Sequence, residues 1–285
     1  MLKPFVPPMV NGTYWEENDT AAIAADIRFF EFVPDEKWHS FWGYGEKQYF
    51  VDPNKLMLTT PGIDIETGEY EEFGVPATIL ANFLRDNRII PEKNDFNSIL
   101  FLMTPAESKA KMDLLVAKLM QFEKAIENND PVNKVLPFLY SKNQDRYRGM
   151  GIRDLCQEMH DFYKGYDVKN LQKKLFMEEH FPERALSAYD AYNELMRNNA
   201  KLVKVSEIKG EVALEGALPY PPGIYCVAPG ERWNETVQKY FMILEEGINR
   251  FPGFAPEIHG VYLEEENGQT VAYGYVLESM ENIRK

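Results

Sequence analysis

Three glutamates sit on the stiffest stretches of this chain and are its candidates for chemistry. Glu107 follows Thr104-Pro105-Ala106, where a short apolar run hands over to a helical pattern. Glu215 stands just before ALPYPPG, and Glu231 closes the same stretch, LEGALPYPPGIYCVAPGE at 214–231. That stretch holds four prolines and three glycines. Proline fixes φ and removes a donor, while glycine admits conformations other residues resist. A carboxylate on such backbone stays at a fixed depth and can select a cationic group, more strongly when buried. Each has a structural alternative. Glu107 completes a capping box with Thr104 as N-cap. Glu215 is a surface or interface charge. Glu231 is an acidic residue in a helix first turn. Tyr220 is either an apolar wall for a ligand stem or a packed turn aromatic.

Other chemistry is hard to find. The histidines are His39, His160, His180 and His259. His39 sits among Trp38, Phe41, Trp42 and Tyr44, which reads as packing, with His39 structural. Glu158-Met159-His160 has the wrong spacing for a pair of helical zinc ligands, and Glu158 faces a neighbour or solvent. No GxSxG, GxxxxGK[ST] or GxGxxG is present. Cys156 and Cys226 have no metal spacing and read as reduced, buried thiols of a cytoplasmic protein.

These residues must be positioned by something. With 285 residues the chain suits one large or two ordinary domains. Its net charge of 31 − 45 = −14 argues against nucleic acid or an anionic membrane as partner and is compatible with a cationic small molecule. No run approaches the roughly 18 apolar residues of a membrane span. The opening LKPFVPPMVNGTYW is irregular and apolar, with a turn at Asn11-Gly12, and is expected to lie on a neighbour or another part of the chain.

Strands and helices then alternate. Lys55–Thr60 reads as a strand ended by Pro61-Gly62, with Glu69–Phe73 as its partner after a Thr67-Gly68 turn. Pro76 opens a helix with Ile79, Leu80, Phe83 and Leu84 on one face. Ser98–Met103 reads as a buried strand. A helix follows with Thr104 as cap and with Met112, Leu115, Val116, Leu119, Phe122 and Ile126 on its inner side. Asn128-Asn129-Asp130-Pro131 stops it, and a short helix covers Val132–Tyr140. The polar segment 142–146 marks a domain boundary.

The second half reads as helices, then strands. Ile152, Leu155, Met159, Phe162 and Tyr163 share a helix face. Val168, Leu171, Leu175 and Phe176 share another. Ser187 caps a third helix, with Asp190 in its first turn. Gly210–Glu215 and Ile224–Val227 are expected strands joined by PYPPG. Glu231 is expected to open a helix with Val237, Tyr240, Phe241, Leu244 and Ile248 inward. His259–Glu265 and Thr270–Leu277 flank Asn267-Gly268, a hairpin signal. Residues 278–285 are expected to fray.

Five blocks carry a resemblance: LEGALPYPPGIYCVAPGE, LCQEMHDFY at 155–163, GVPATILANFLRDNRIIPEK at 74–93, ILFLMTPAES at 99–108 and FPGFAPEIHGVY at 251–262. Together they resemble the C-terminal part of the bacterial ornithine decarboxylases, in the ornithine/lysine/arginine decarboxylase family. The resemblance implies an α/β and α+β architecture. Residues 1–145 would be the small domain of an aminotransferase-like, fold-type-I enzyme with its connecting segment. Residues 146–285 would be the family's α+β C-terminal domain. It also implies pyridoxal 5'-phosphate (PLP) in the full-length enzyme, ornithine as substrate, and a homo-oligomer that is a dimer or a ring of dimers.

The family's cofactor lysine follows a histidine in Ser-x-His-Lys, and no histidine here is followed by lysine. The resemblance therefore implies no covalent cofactor, no catalytic residue and no metal on this chain. A substrate-pocket wall is what remains for this chain to supply, and Glu107, Glu215, Thr104 and Tyr220 are its candidates on the reading of the residues themselves. The N-terminal, PLP-bearing part of the enzyme would be the partner. Three readings stay open: an enzyme fragment, a module completing a separate PLP-bearing chain, and a stand-alone amine-binding protein.

Overall fold

The computed structural model describes residues 2–39, 41, 43–220 and 223–280. Trp42 of the aromatic cluster, Pro221-Pro222 of the connector and the expected frayed residues 281–285 lie outside the described residues. The chain divides into two compact units, Met1–His160 and Asp161–Lys285.

In the first unit, β1 (Lys3–Pro4), β4 (Lys55–Thr59), β6 (Ser98–Leu102) and β5 (Lys93–Asn94) form one antiparallel sheet in that order. The apolar opening therefore lies on this chain's own sheet, with Lys3 opposite Thr59. β2 (Met9–Val10) and β3 (Thr13–Tyr14) make a hairpin. Its turn residues Asn11 and Gly12 have φ of 54° and 80°, the left-handed values that Asn-Gly turns supply. A short helix, α1 (Thr20–Ala25), follows, capped by Asp19.

The expected strand at Glu69–Phe73 does not form. Both edges of β4 are already occupied, by β1 and β6, so only an isolated bridge, Ile63 with Tyr70, remains of it. Pro76 is the N-cap of α2 (Ala77–Asp86) rather than its first residue. The α2 face of Ile79, Leu80, Phe83 and Leu84 is buried. Each such side chain contributes roughly 1.5–3 kcal/mol on leaving water. Phe83 meets Phe122 of α3 (Lys109–Glu127) with ring centroids 5.1 Å apart. In α3, Leu115, Phe122, Ala125 and Ile126 are buried, whereas Val116 is exposed against expectation.

The single helix expected over Val132–Tyr140 is instead a chain of short turns, because Pro137 cannot continue the helix before it. These are α4 (Val132–Val135), α5 (Pro137–Lys142) and α6 (Gln144–Tyr147). The polar 142–146 segment is thus helical in part. The helix α7 (Ile152–Gly165) has no capping side chain beside it in sequence. Asn129, at φ 50°, supplies the cap from a distance: its Oδ1 accepts from Arg153 N at 2.9 Å and Asp154 N at 3.3 Å. A Cβ on Gly151 would sit 2.0 Å from that oxygen, which is why the position is glycine.

The second unit begins within α7 and includes α8 (Val168–Leu175) and α9 (Ala188–Met196). Ser187 caps α9 as expected, accepting from Asp190 N. β7 (Ala200–Lys204), β11 (Gln269–Leu277) and β10 (Tyr262–Glu266) form an antiparallel sheet in the order β10-β11-β7. The Asn267-Gly268 hairpin forms as expected, with Glu266 opposite Gln269. β10 is an edge strand, and its Glu264 and Glu265 are exposed.

α10 (Glu235–Arg250) packs on β11 with Val237, Tyr240, Phe241 and Leu244 buried. Its N-cap is Asn234, so Glu231 does not open it. β8 (Leu218–Tyr220) pairs with β9 (Glu257–His259). This corrects the expected strand pair at 210–215 and 224–227: the ribbon forms inside the proline-rich connector, and the flanks keep only single bridges. Glu278 and Ser279 are held by Asn199 rather than frayed, since Asn199 binds the backbone of both.

His160 fills a notch formed by two glycines. A Cβ on Gly74 would lie 2.1 Å from His160 Nδ1, and one on Gly62 would lie 3.1 Å away. Gly74→Ala must displace a buried ring, and a loss of about 1–3 kcal/mol is expected in urea unfolding. The same change at Gly149, where a Cβ meets nothing within 4 Å, separates overpacking from the strain of its positive φ.

Candidate functional site

The predicted residues fall into two groups, Thr104 and Glu107 in the first unit and Glu215 and Tyr220 in the second.

Thr104-Pro105-Ala106-Glu107 is a β-turn, with Glu107 N donating to Thr104 O at 3.0 Å and proline in its favoured second position. The helix starts later than expected. Ser108, not Thr104, is the N-cap, accepting from Lys111 N at 3.4 Å. The capping box is therefore not formed, because the proline turn takes the residues it needs. Thr104 Oγ1 lies 3.5 Å from Glu107 Oε1. The Glu107 carboxylate is 27% exposed and pairs with Lys111 Nζ at 3.2 Å. A ligand ammonium would have to replace that lysine. In water-exposed surroundings such a pair contributes at most about 1 kcal/mol, so the exchange is cheap.

Glu215 is half-buried, as Glu107 is, and its Oε2 accepts the Tyr262 hydroxyl at 2.7 Å. That hydrogen bond, with burial and the Glu215 charge, pushes the Tyr262 phenol up to about 12. Tyr262 in turn meets Tyr275 edge-to-face at 5.1 Å. Gly216 lies under the Tyr225 ring, with room for no Cβ. At Gly260, with φ +70°, a Cβ would come within 2.2 Å of Gly216 O. Two backbones thus nearly touch, and that approach brings Tyr262 to Glu215. Tyr220, 43% exposed, lies across Gly223. The outcome is a carboxylate with one oxygen oriented by a phenol and with tyrosines nearby. Tyr262 had no signal of its own in the sequence, since it stands 47 residues from Glu215.

The remaining candidates have structural partners. Glu231 Oε2 accepts from Ala228 N at 2.7 Å and closes the turn at the end of the connector. Glu158 pairs with Arg146 at 2.7 Å. His39 is 3% exposed; its Nδ1 accepts from Phe41 N, and its Nε2 lies 2.8 Å from Val33 O. The ring is therefore a neutral tautomer with its proton on Nε2. Burial pushes both cysteine thiols up, Cys226 to about 12.

The donor set does not suit PLP. A Schiff-base lysine sits enclosed beside its ring, and no lysine is buried among the described residues. Among these residues there is also no group of three or more His, Cys, Asp or Glu that could hold a metal, and no helix long and apolar enough to cross a membrane.

Residues 1–111 match the family described as Orn/Lys/Arg decarboxylase, major domain, and residues 169–278 match Orn/Lys/Arg decarboxylase, C-terminal domain. The two domains follow one another in a mixed helix and sheet fold, and the chain belongs to this decarboxylase family. Its relatives include ornithine decarboxylases and lysine decarboxylases. The chain is 58% identical to the inducible ornithine decarboxylase of Lactobacillus sp. (strain 30a) over 98% of its own length and 38% of that protein's. It is 56% identical to the inducible ornithine decarboxylase of Escherichia coli (strain K12), over 97% and 38%. The lysine decarboxylase A of Pseudomonas aeruginosa superposes with a TM-score of 0.87 at 28% identity, over 97% of this chain and 36% of that one. The chain thus spans about two fifths of the length of its curated relatives.

Two outcomes test the site chemistry. The Glu215–Tyr262 bond favours the neutral phenol, so it persists through neutral pH and is lost as pH rises through about 12. In a spectrophotometric tyrosine titration, Glu215→Gln moves one phenol down toward the ordinary value of about 10, and Tyr262→Phe removes that phenol. A thiol reagent labels Cys156 and Cys226 slowly in the native chain and rapidly after unfolding, because the reactive thiolate is scarce when burial raises the pKa.

Proposed function

We propose that this chain is the C-terminal portion of a PLP-dependent ornithine decarboxylase, which converts L-ornithine to putrescine and carbon dioxide. The observation that carries this reading is the spread of identities. Ornithine decarboxylases match at 54–58%, whereas lysine decarboxylases match at 31–33% over less of the chain. The PLP-bearing lysine belongs to the N-terminal part of the enzyme, and this chain supplies pocket wall and subunit interface in a cytoplasmic homo-oligomer. In this reading the functional division lies near residue 145, with the small domain before it and the family's C-terminal domain after it.

The role of this chain's own residues is recognition. PLP supplies the electron sink when the enzyme is whole. The distal ammonium of ornithine needs a carboxylate at a set distance from the reacting carbon, and lysine, one methylene longer, is disfavoured by that distance. Glu215 fits because Tyr262 fixes one of its oxygens while Oε1 has no partner among the described residues. In the first unit, taken by itself, Glu107 is the alternative candidate, with Thr104 beside it and Lys111 as an exchangeable placeholder. Tyr220 offers its exposed ring to the apolar stem.

Mixing this chain with the N-terminal, PLP-bearing part tests the reading. The expected result is ornithine decarboxylation that neither part gives alone. Decarboxylation by this chain alone, or none by the mixture, would overturn it. In the reconstituted enzyme, Glu215→Gln and Glu107→Gln are each expected to reduce kcat/KM for ornithine by about 10- to 100-fold, the effect of losing a charge-assisted contact of about 1.5–3 kcal/mol. Unchanged kinetics remove that glutamate from the pocket.

A further inference from the structure

The loop 31–50 holds a cavity that the decarboxylase reading does not use. It has a volume of about 330 Å³ and is lined by Phe32, Phe41, Gly43, Tyr44, Tyr49 and Phe50. Five of these six residues are aromatic. They form two braced pairs: Phe32 meets Phe41 edge-on at 5.5 Å, and Tyr44 meets Tyr49 edge-on at 5.2 Å. The pairs stand on a fixed base, since Tyr44 OH lies 3.1 Å from Nε2 of buried His39, and Phe32 stacks on buried Trp38 at 5.2 Å. Phe41, Tyr49 and Phe50 nevertheless stay more than a third exposed. Among the described residues, rings thus surround a space and stay partly accessible.

Charge decides what fits. The segment 31–50 carries Glu31, Asp35, Glu36 and Glu46 against Lys37 and Lys47, so it is net 4 − 2 = 2 negative, within a chain of net charge −14. Asp35 and Glu36 lie close enough to Tyr44 to hold its phenol above the ordinary value, after burial. Glu36 is oriented by Trp38 Nε1, which donates to its Oε2 at 2.7 Å. An anion would meet these acids and gain nothing from the rings. A neutral apolar molecule would gain burial and leave the acids unanswered. A cation over several ring faces gains from both.

We propose that this cavity is a binding site for an organic ammonium group. The inference stands on the first unit alone and holds whether or not the decarboxylase reading does. Its test uses the intact chain and tetramethylammonium chloride, followed by intrinsic fluorescence and by the aromatic NMR signals, with sodium chloride at equal ionic strength as control. Saturable binding is expected, about tenfold weaker in Phe41→Ala and in Tyr49→Leu, which keeps bulk and loses the π face. Tyr49→Phe retains the binding and shows that the loop still folds. The neutral isostere tert-butanol is expected not to saturate. No saturation beyond the salt control, an equal response to tert-butanol, or unchanged affinity in both Phe41→Ala and Tyr49→Leu overturns the site.

Discussion

The candidate pocket residues of the second unit depend on one close approach, that of Gly260 to Gly216. A Cβ at Gly260 would fall 2.2 Å from the Gly216 carbonyl oxygen, and the positive φ of Gly260 is itself a glycine conformation. Because neither residue has a side chain, β9 can pair with β8 inside the connector. The chain after Gly260 then enters β10 with Tyr262 against Glu215. The proline-rich connector is stiff on its own account, but stiffness does not aim a carboxylate. The neighbouring phenol does. Any side chain at Gly260 would move the donor, and Glu215 would lose the group that fixes its orientation.

The first unit uses polar side chains in place of local sequence at the ends of its elements. Asn129 caps α7 across more than twenty residues of chain, and the missing Cβ of Gly151 leaves it room. Asn199 does the like in the second unit, tying buried Glu194 to the backbone at Glu278 and Ser279. Asn199, with Arg197, holds the Glu194 carboxyl below the usual range, so the charge is kept although it is buried. In both places a single amide satisfies groups that the helix or strand end leaves over.

Much of the fold was legible in the sequence. The faces of α2, α7 and α10, the Ser187 cap and the Asn267-Gly268 hairpin depend on local periodicity and turn chemistry, and they formed as read. On α8, Val168, Leu171 and Leu175 are buried as expected, but Phe176 is the C-cap and is exposed. What was not legible depended on competition between distant segments. Glu69–Phe73 has strand character but no free edge to join, since β1 arrived from the far N-terminal end. Thr104-Pro105-Ala106-Glu107 satisfies the capping-box pattern, yet the same proline favours a turn, and Ser108 was at hand to cap instead. For the pocket residues, the sequence singled out Glu215 by its stiff surroundings. It could not supply Tyr262, because nothing in the spacing of the two residues announces that their backbones meet.

The edge strand β10 has a colloidal consequence. Glu264 and Glu265, consecutive in the strand and so on opposite faces of the sheet, are both exposed and put like charge on backbone that could otherwise template a neighbour's strand. Salt screens that charge, over a Debye length of about 8 Å near physiological ionic strength, so the guard weakens as salt rises. Edge-to-edge association at high salt is the hazard such a strand carries.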